Sequence, residues 1–324
     1  MKSFRRDLSI DVRRLRLLRE LRTHSTLGAT ARALHLTPSA VSQQIAGLSR
    51  DLGVPMLVPR GRGVRLTPQA ELLLEHAALI DAQLERARAD LAAMEQGLVG
   101  RVAIGAFATA ISGLVAPAVL PLRRQCPRLR LWIEEIEAPE CFTRLDRGDL
   151  DLVITVDFES GPHRDDVRYH RCELLDDPLV VALCEHHVLA SRASIDLRAL
   201  AGERWIIGVA RGPCREAGLS ACAAAGFNPD VAQRVNDWAA LLRLTAADCG
   251  VALIPRLAID TSSLRGVVLR PVRGPAQPSR HIYAAVRAGA ERSPILVPVL
   301  SALQASAAEC MHAVARPRAR HSAK

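Results

Sequence analysis

The sequence has no stretch of apolar residues long enough to predict a membrane span. A spanning helix needs about 18 to 20 mainly apolar residues, and no apolar run here approaches that length. The start of the chain is basic and has no apolar region behind it, which argues against a secretory signal. We therefore expect a soluble, cytoplasmic protein with no membrane partner.

Cysteines with metal-site spacing are also missing. None of the eight cysteines has the close spacing of a zinc ribbon, and we interpret them as small buried residues in a reducing compartment. Cys214 and Cys222 lie two turns apart on one predicted helix, too far for a disulfide within it. A thiol-based redox-sensing regulator that uses one of these two thiols is an alternative hypothesis.

Motifs of common enzyme classes are absent as well. The sequence has no Walker phosphate loop, no Gly-x-Ser-x-Gly nucleophile turn and no paired-histidine metal motif. Gly61 and Gly63 lack the third glycine of a dinucleotide site. His186 and His187 are neighbours after a predicted strand, so they point to opposite faces, which disfavours a shared metal. We expect a protein that is not an enzyme and uses no cofactor or metal.

Lysine is nearly absent, so arginine carries the positive charge, and its excess lies at one end of the chain. Lys2 and Lys324 are the two lysines. Residues 1–67 contain 13 Lys or Arg and four acidic residues, a net charge of +9 that equals the net charge of the whole chain. The rest of the chain is therefore near neutral. A basic head on a neutral body is typical of a protein that binds a polyanion.

The segment after Leu36 predicts a helix with one buried and one polar face. Thr37 can cap free N–H groups of a first turn, and Pro38 suits the first helical position. Apolar residues recur at helical spacing at positions 41, 45, 48 and 52, which predicts a buried stripe. The remaining surface carries side chains suited to base edges or phosphates of DNA: Thr37, Ser39, Ser42, Gln43, Gln44 and Arg50.

Flanking segments complete a winged helix-turn-helix. Helices are predicted from about Asp11 to Arg22 and from Thr26 to Leu34, and only two residues separate the second of these from the Thr37 cap. Residues 56–66 predict a hairpin with glycines at its tip. This wing presents arginines that can hold DNA phosphates: Arg60, Arg62 and Arg65.

A long amphipathic helix is predicted from Pro68 to Gly97. Apolar residues recur along it at alternating spacings of four and three: Leu73, Ala77, Ile80, Leu84, Ala87, Leu91 and Met94. Three heptads of apolar seam favour pairing with a second copy over an amphipathic helix packed on its own body. A dimer would place two recognition helices about 34 Å apart, in successive major grooves.

Strands and helices alternate beyond Gly100. The order strand, helix, strand, helix, strand over residues 102–156 predicts parallel pairing with right-handed crossovers. A second run begins near Leu179, and strand 281–286 and helix 293–313 return to the first lobe. We expect two α/β lobes, joined by crossings at 157–164 and 267–275, with a cleft between them.

This cleft is the expected place for a small ligand, because open α/β sheets bind ligands at the carboxyl ends of strands and at helix N-termini. The candidate effector-binding residues lie in loops at those places: Phe107, Ala108, Thr109, Asp157, Gly208, Val209, Arg211, Asn236 and Asp237. The alternatives are that Thr109 is a simple helix cap and that Arg211 is a solvated surface charge.

These segments resemble the LysR-type transcriptional regulators. The resemblance is dense from Ala29 to Ile45 and from Gly61 to Thr67, with Leu52-Gly53-Val54 between them. Pro59 departs from the family, which commonly has an arginine there. The segments from Leu145 to Ile154 and from Asp237 to Pro255 look like the effector-binding domain of the same regulators, which is similar to periplasmic solute-binding proteins.

The residues and the resemblance together predict an N-terminal all-α winged helix-turn-helix, a long linker helix and a two-lobed α/β effector domain. The expected bounds are 1–67 for the DNA-binding domain, 68–97 for the linker, 98–314 for the effector domain and 315–324 for a disordered basic tail. Lobe I is expected at 98–158 and 270–314, and lobe II at 163–268.

The resemblance implies a regulator whose hold on double-stranded promoter DNA responds to a small-molecule effector. It also implies a homodimer or homotetramer and contact with RNA polymerase. A rival from another class is a ligand-binding α/β protein whose basic head holds DNA without choosing a sequence.

Overall fold

The computed structural model describes residues 11–61, 63–94, 100–159, 161–208, 212–259, 264–274 and 277–315. The chain divides into two compact units, with the division after Ala87. The first unit is built from helices and one hairpin, and the second from a large mixed sheet with helices. Predictions for Arg62, Val209, Arg211, the end of the linker at 95–97 and the tail after Ala315 fall outside the described residues.

Three helices form the head, and a side chain caps the N-terminus of each: Asp11, Thr26 and Thr37. Thr26 accepts a hydrogen bond from the backbone N–H of Ala29 at 3.2 Å, and Thr37 accepts one from Ala40 at 3.2 Å. Gly53 ends the third helix with a φ of +71°, a left-handed conformation that glycine adopts easily. The helices lie where the sequence predicted them, at Val12–His24 (α1), Leu27–Ala33 (α2) and Pro38–Leu52 (α3).

The apolar stripe of α3 is the centre of the head core. Val41 and Leu48 are fully buried and Ile45 is 2% exposed. They belong to one cluster with Leu18 and Leu21 of α1. Burying side chains of this size stabilises a fold by about 1.5–3 kcal/mol each. The stripe therefore fixes which face of α3 is left for solvent or a ligand.

The wing is an antiparallel hairpin of β1 (Leu57–Arg60) and β2 (Gly63–Leu66). Arg60 lies opposite Gly63, and Gly61 at the tip has a φ of +56°, which favours glycine. The predicted hairpin is confirmed.

Pro59 fits this wing although the family commonly has an arginine there. It lies opposite Val64, next to the pair that closes the hairpin, where backbone N–H groups point away from the partner strand. Accordingly, the N–H of Val64 points to the carbonyl of Ser25, at 3.5 Å. A proline at this position costs the hairpin no hydrogen bond.

Helix α4 spans Pro68–Met94, and only part of the predicted seam is exposed on it. Leu73 is half-buried against the head core and Ala77 is 2% exposed, so the exposed part of the predicted line begins at Ile80. Its role in dimerisation stays a prediction. A heptad drifts by about 20° per repeat on a straight helix, so the predicted line runs from the head-facing side onto the exposed side. The exposed large apolar side chains are Leu72, Leu79, Ile80, Leu84 and Leu91.

Ten strands lie in the described part of the second unit. Their bounds are Gly100–Ala106 (β3), Leu129–Glu135 (β4), Leu152–Val156 (β5), Tyr169–Cys184 (β6), Ile195–Asp196 (β7), Arg204–Ile207 (β8), Asp230–Arg234 (β9), Ala252–Pro255 (β10), Val267–Arg273 (β11) and Ser279–Arg287 (β12). Eight of them form one sheet in the order β4-β3-β5-β12-β6-β11-β7, with β10 also paired to β6. The pairs β3–β4 and β3–β5 are parallel, as predicted, whereas β12 returns antiparallel to β5.

The helices of this unit are α5 (Ala108–Ala110), α6 (Ala116–Gln125), α7 (Glu140–Arg147), α8 (Pro213–Ala224), α9 (Trp238–Ala246) and α10 (Val297–Ala315). A π-helical turn, Ile111–Val115, joins α5 to α6. Its Leu114 carbonyl accepts a hydrogen bond from the Ser306 hydroxyl of α10 at 2.9 Å, which ties the turn to the last helix.

Strand β6 belongs to both lobes, which corrects the predicted crossings. Its residues 169–178 pair with β12, and its residues 179–184 pair with β10 and β11. The chain therefore crosses to the second lobe near Pro178 and not at 157–164. The predicted second crossing at 267–275 is largely strand β11, so the return to the first lobe follows Arg273.

The second lobe is built around a buried tryptophan. Trp205 of β8 is 1% exposed, and its indole N–H donates to the carbonyl of Leu200 at 3.2 Å. Gly250 passes close to the same strand with a φ of +149°, and a Cβ there would lie 2.7 Å from the carbonyl oxygen of Arg204. In the parts of the chain that the structure describes, no helix is long and apolar enough to cross a bilayer.

Candidate DNA interface and effector cleft

The exposed face of α3 carries most of the side chains predicted to read DNA. Ser39, Ser42 and Gln43 are exposed and lie on the side opposite the buried stripe. Arg50 is exposed about two turns further along that side. Gln44 is exposed too, but one helical step turns it about 100° from Gln43 and toward the flank of the helix. The structure thus brings three short polar groups and one guanidinium onto one surface.

The Thr37 hydroxyl caps α3 and contacts Ser39, so it positions the exposed face of the helix. Its hydroxyl oxygen already accepts the N–H of Ala40 and lies 3.0 Å from the Ser39 hydroxyl. The contact places Ser39 at the start of the exposed face, with lone pairs left to accept from a base edge.

The arginines of the head fall into two groups. Three of them are ion-paired inside the unit: Arg14 with Asp51, Arg19 with Asp81 and Arg22 with Glu71. The others that the structure describes form no ion pair with any described residue and are exposed; Arg13, Arg16 and Arg32 lie on α1 and α2, and Arg50, Arg60 and Arg65 lie on α3 and the wing. Unpaired guanidinium groups beside a polar helix face suit the phosphates that flank a major groove.

The loop after β3 lines a small cavity between the two lobes. Phe107 and Thr109 are each 5% exposed, and Ala108 is exposed beside them. The cavity has a volume of about 50 Å³ and is lined from the second lobe by Pro213, Cys214 and Trp238. A space of this size holds a compact molecule of a few heavy atoms.

Arg280 of β12 lines this cavity and is the residue that the sequence did not indicate. Its side chain is 5% exposed, and its Nη2 donates to Asp177 Oδ2 at 2.6 Å and to Thr109 Oγ1 at 3.2 Å. Asp177 is itself 2% exposed, and its other oxygen accepts the backbone N–H of Leu257 at 2.9 Å. The two buried charges therefore compensate one another, as buried ions must.

One donor of Arg280 is left over. Its Nε is buried and finds no hydrogen-bond partner among the described residues. A buried donor without a partner costs about 1–3 kcal/mol, so the hydrogen bonding of Arg280 is not fully satisfied by the described residues.

Cys214 is the thiol of this cavity. It is the second residue of α8, and burial raises the pKa of its thiol while the nearby Arg280 guanidinium acts in the opposite direction. The net direction is upward, so the thiol is protonated at neutral pH in this arrangement. Cys222, two turns further along α8, is 1% exposed, and burial raises its pKa to about 11.

Other predicted effector residues lie away from the cavity lining. Arg171 binds Asp157 at 2.5 and 3.0 Å, and these hydrogen bonds lower the pKa of the Asp157 carboxyl. Asp237 caps α9 by accepting the N–H of Ala240 at 2.7 Å, and Asn236 beside it is exposed. Gly208 is half-buried at the end of β8.

The pattern of β12 holds a signal for Arg280. The sequence predicts a strand that starts at His281, two residues after its observed start at Ser279, so Arg280 lies outside the predicted strand. An arginine that directly precedes a run of mostly apolar strand residues is a candidate for a buried, paired charge.

Breaking the buried pair should destabilise the second unit. Arg280→Met leaves Asp177 buried without its partner, so we expect a loss of about 3–5 kcal/mol in the free energy of unfolding. Urea titration followed by tryptophan fluorescence measures it, because all three tryptophans lie in the second unit. The exposed Arg130→Met is the matched control, and an equal, small effect of both variants would contradict a compensated buried charge.

Two family models match the chain. Residues 12–71 match the bacterial regulatory helix-turn-helix protein of the lysR family, and residues 95–308 match the LysR substrate binding domain. Together they cover most of both units. Regulators of this family bind DNA and small-molecule effectors, act as oligomers and are in general cytoplasmic.

Individual relatives agree with the models. The transcriptional regulator MetR of Escherichia coli K12 is 28% identical over 288 residues, 88% of this chain and 87% of MetR. A hydrogen peroxide-inducible genes activator of Dickeya chrysanthemi is 26% identical over 283 residues, 86% of this chain and 90% of the activator.

Solved structures share the fold. A full-length OxyR variant from Pseudomonas aeruginosa superposes with a TM-score of 0.59 at 23% identity, over 96% of this chain and 99% of that one. Both family matches agree with the order of the domains and with the two-lobed mixed sheet. The chain belongs to the LysR family and is a DNA-binding transcriptional regulator with an effector-binding domain.

Proposed function

We propose that Ser39, Ser42 and Gln43 read base edges while arginines of the helix and wing hold the DNA backbone. The observation that carries this division is the composition of the exposed surface of α3. Its short polar groups can donate and accept at base edges, and its guanidinium group, Arg50, forms no ion pair with any described residue. Hydrogen bonds to bases depend on sequence, whereas contacts to phosphates do not.

The effector site of the proposal is the cavity beside Arg280. Thr109 and Arg280 come from the first lobe and Cys214 and Trp238 from the second, so a bound molecule contacts both. A ligand that prefers one arrangement of the lobes shifts the population toward it. The regulator needs no cofactor and carries out no reaction in this proposal. It acts in the cytoplasm, and the lobe shift changes how promoter DNA is bent and how RNA polymerase is engaged.

A homodimer, or a homotetramer built from such dimers, is proposed to form through α4. The supporting observation is a row of large apolar side chains that the chain itself leaves exposed: Leu72, Leu79, Ile80, Leu84 and Leu91. Ala87 is exposed near the same row. Apolar surface of this extent on one helix is typical of a helix that is covered by a partner.

A redox function is the second candidate, and the position of Cys214 favours it. The thiol lines the cavity beside Thr109 and Arg280, and one relative is a hydrogen peroxide-inducible activator. The raised pKa of the Cys214 thiol argues against this redox function, because the reactive form is the thiolate and a raised pKa makes the thiolate rarer. The small-molecule effector is therefore the favoured candidate.

Substitutions on α3 and on the wing should change DNA binding in different ways. Gln43→Ala should lower affinity for a preferred promoter by about 1–3 kcal/mol and relax the base preference. Arg60→Ala should weaken binding to all duplexes alike and reduce the salt slope by about 1. Fluorescence anisotropy measures the affinity of each variant for a promoter duplex and a scrambled duplex over a range of salt concentrations. Identical behaviour of the two variants across sequences would instead favour a head that holds DNA without reading it.

A charge placed on the exposed row of α4 should dissociate the oligomer. Leu84→Glu would bury an unpaired carboxylate in the proposed contact, and we expect monomers at concentrations where the wild type is a dimer. Sedimentation velocity measures the change. Gln83→Glu adds the same charge at the neighbouring exposed position and is the control. If Leu84→Glu sediments like the wild type, a different surface forms the dimer.

Oxidation separates the two candidate functions. With a small-molecule effector, hydrogen peroxide and a thiol reductant should leave promoter affinity unchanged, and Cys214→Ser should bind the promoter like the wild type. If peroxide changes affinity at least about tenfold and Cys214→Ser abolishes the change, the redox function replaces the effector function.

A further inference from the structure

The first unit contains a basic cavity that lies apart from the reading face of α3. Its volume is about 330 Å³, and it lies between the end of α1, strand β2 and the first turn of α4. Leu21 and Leu66, both largely buried, form apolar parts of its wall. Its charged lining consists of Arg22, Arg60, Arg65 and Glu71.

The charge of this cavity suits an anion. Three guanidinium groups face one carboxylate, and the exposed Arg60 and Arg65 form no ion pair with any described residue. Arg22 Nη1 lies 3.5 Å from Glu71 Oε2, with the two side chains 37% and 46% exposed. An ion pair that is this long and this exposed is weak, so an incoming anion can replace the carboxylate.

The walls of the cavity are held in place before any ligand binds. The N–H of Val64 points to the Ser25 carbonyl, and a Cβ added at Gly63 would lie only 3.0 Å from the same oxygen. The end of α1 and the wing are therefore in direct backbone contact. Arg60 and Arg65 share one face of the hairpin, because successive cross-strand pairs alternate between faces. Binding of an anion therefore costs little conformational entropy in this part of the cavity wall.

We infer that this cavity binds a phosphate of the DNA backbone, held by Arg22 and Arg65, and that Glu71 weakens the contact by pairing with Arg22 in the free protein. The inference rests on the proposed function. DNA fits better than a free anion because two of the three arginines belong to the wing, which the proposed function already places against the DNA backbone. Guanidinium groups bind phosphate oxygens in a planar, two-point manner that suits this pair.

The test measures binding of the full chain to a duplex of arbitrary sequence over a series of salt concentrations. Arg22→Ala should weaken binding about tenfold near about 0.1 M salt and reduce the salt slope by about 1, because one phosphate contact is lost. Glu71→Gln should tighten binding by about two- to fivefold, because Arg22 no longer has a competing carboxylate. A variant that merely unfolds cannot produce this gain.

Arg13→Ala is the matched control, since it removes the same charge from the opposite side of α1, nine residues away. Equal affinity and salt slope for Arg22→Ala and Arg13→Ala would overturn the inference. So would a Glu71→Gln variant that binds no tighter than the wild type. Stabilisation of the wild type by inorganic phosphate, with duplex binding of Arg22→Ala unchanged, would assign the site to a free anion. A wild type that binds no duplex at all would overturn the proposed function itself.

Discussion

The effector domain depends on one buried pair of charges, Arg280 and Asp177. Either charge alone would be strongly destabilising in a buried site, so the two strands that carry them must stay in register. Asp177 also binds the chain after β10, and Arg280 binds Thr109. The pair thereby ties four separate segments together at the point where β6 passes from one lobe to the other. The cavity lies at this junction, so a ligand bound there would contact Thr109 and Arg280 of the first lobe and Pro213, Cys214 and Trp238 of the second.

The head follows a simpler constraint. Its core is small, and the stripe of α3 at Val41, Ile45 and Leu48 supplies much of it. Because a helix has fixed angular spacing, burial of that stripe leaves Ser39, Ser42 and Gln43 on the surface. The same fifteen residues of α3 therefore determine both how the helix packs and which polar side chains it exposes. The wing adds charge beside that surface, since its apolar face packs on the core and its other face carries arginines.

Local signals explain which parts of the fold were predictable from sequence. Thr37, Pro38 and Gly53 act within a few residues of themselves, and the helix they bound was placed correctly. The first half of β6 was missed because exposed charges, such as Glu173 and Asp176, interrupt its apolar pattern. The pattern of β12 can mark Arg280 as a candidate, but it cannot identify Asp177 as its partner, because Asp177 lies 103 residues away in the sequence. The burial of Ala77 in α4 was not predicted, because the head packs on the first turns of that helix and helical spacing alone does not report such a contact.

Helix α4 gives the two units a common element. It is one continuous helix, and the division between the units falls within it, after Ala87. Exposed leucines lie on both sides of that division, with Leu79 and Leu84 before it and Leu91 after it. A helix transmits a rotation or a shift of its axis over its whole length, because each turn is bonded to the next. A partner that covers these leucines would therefore bind a stiff element that belongs to both units. A change of lobe arrangement would then reach the DNA-binding surface through the spacing of two heads, with no need for the recognition helix itself to change.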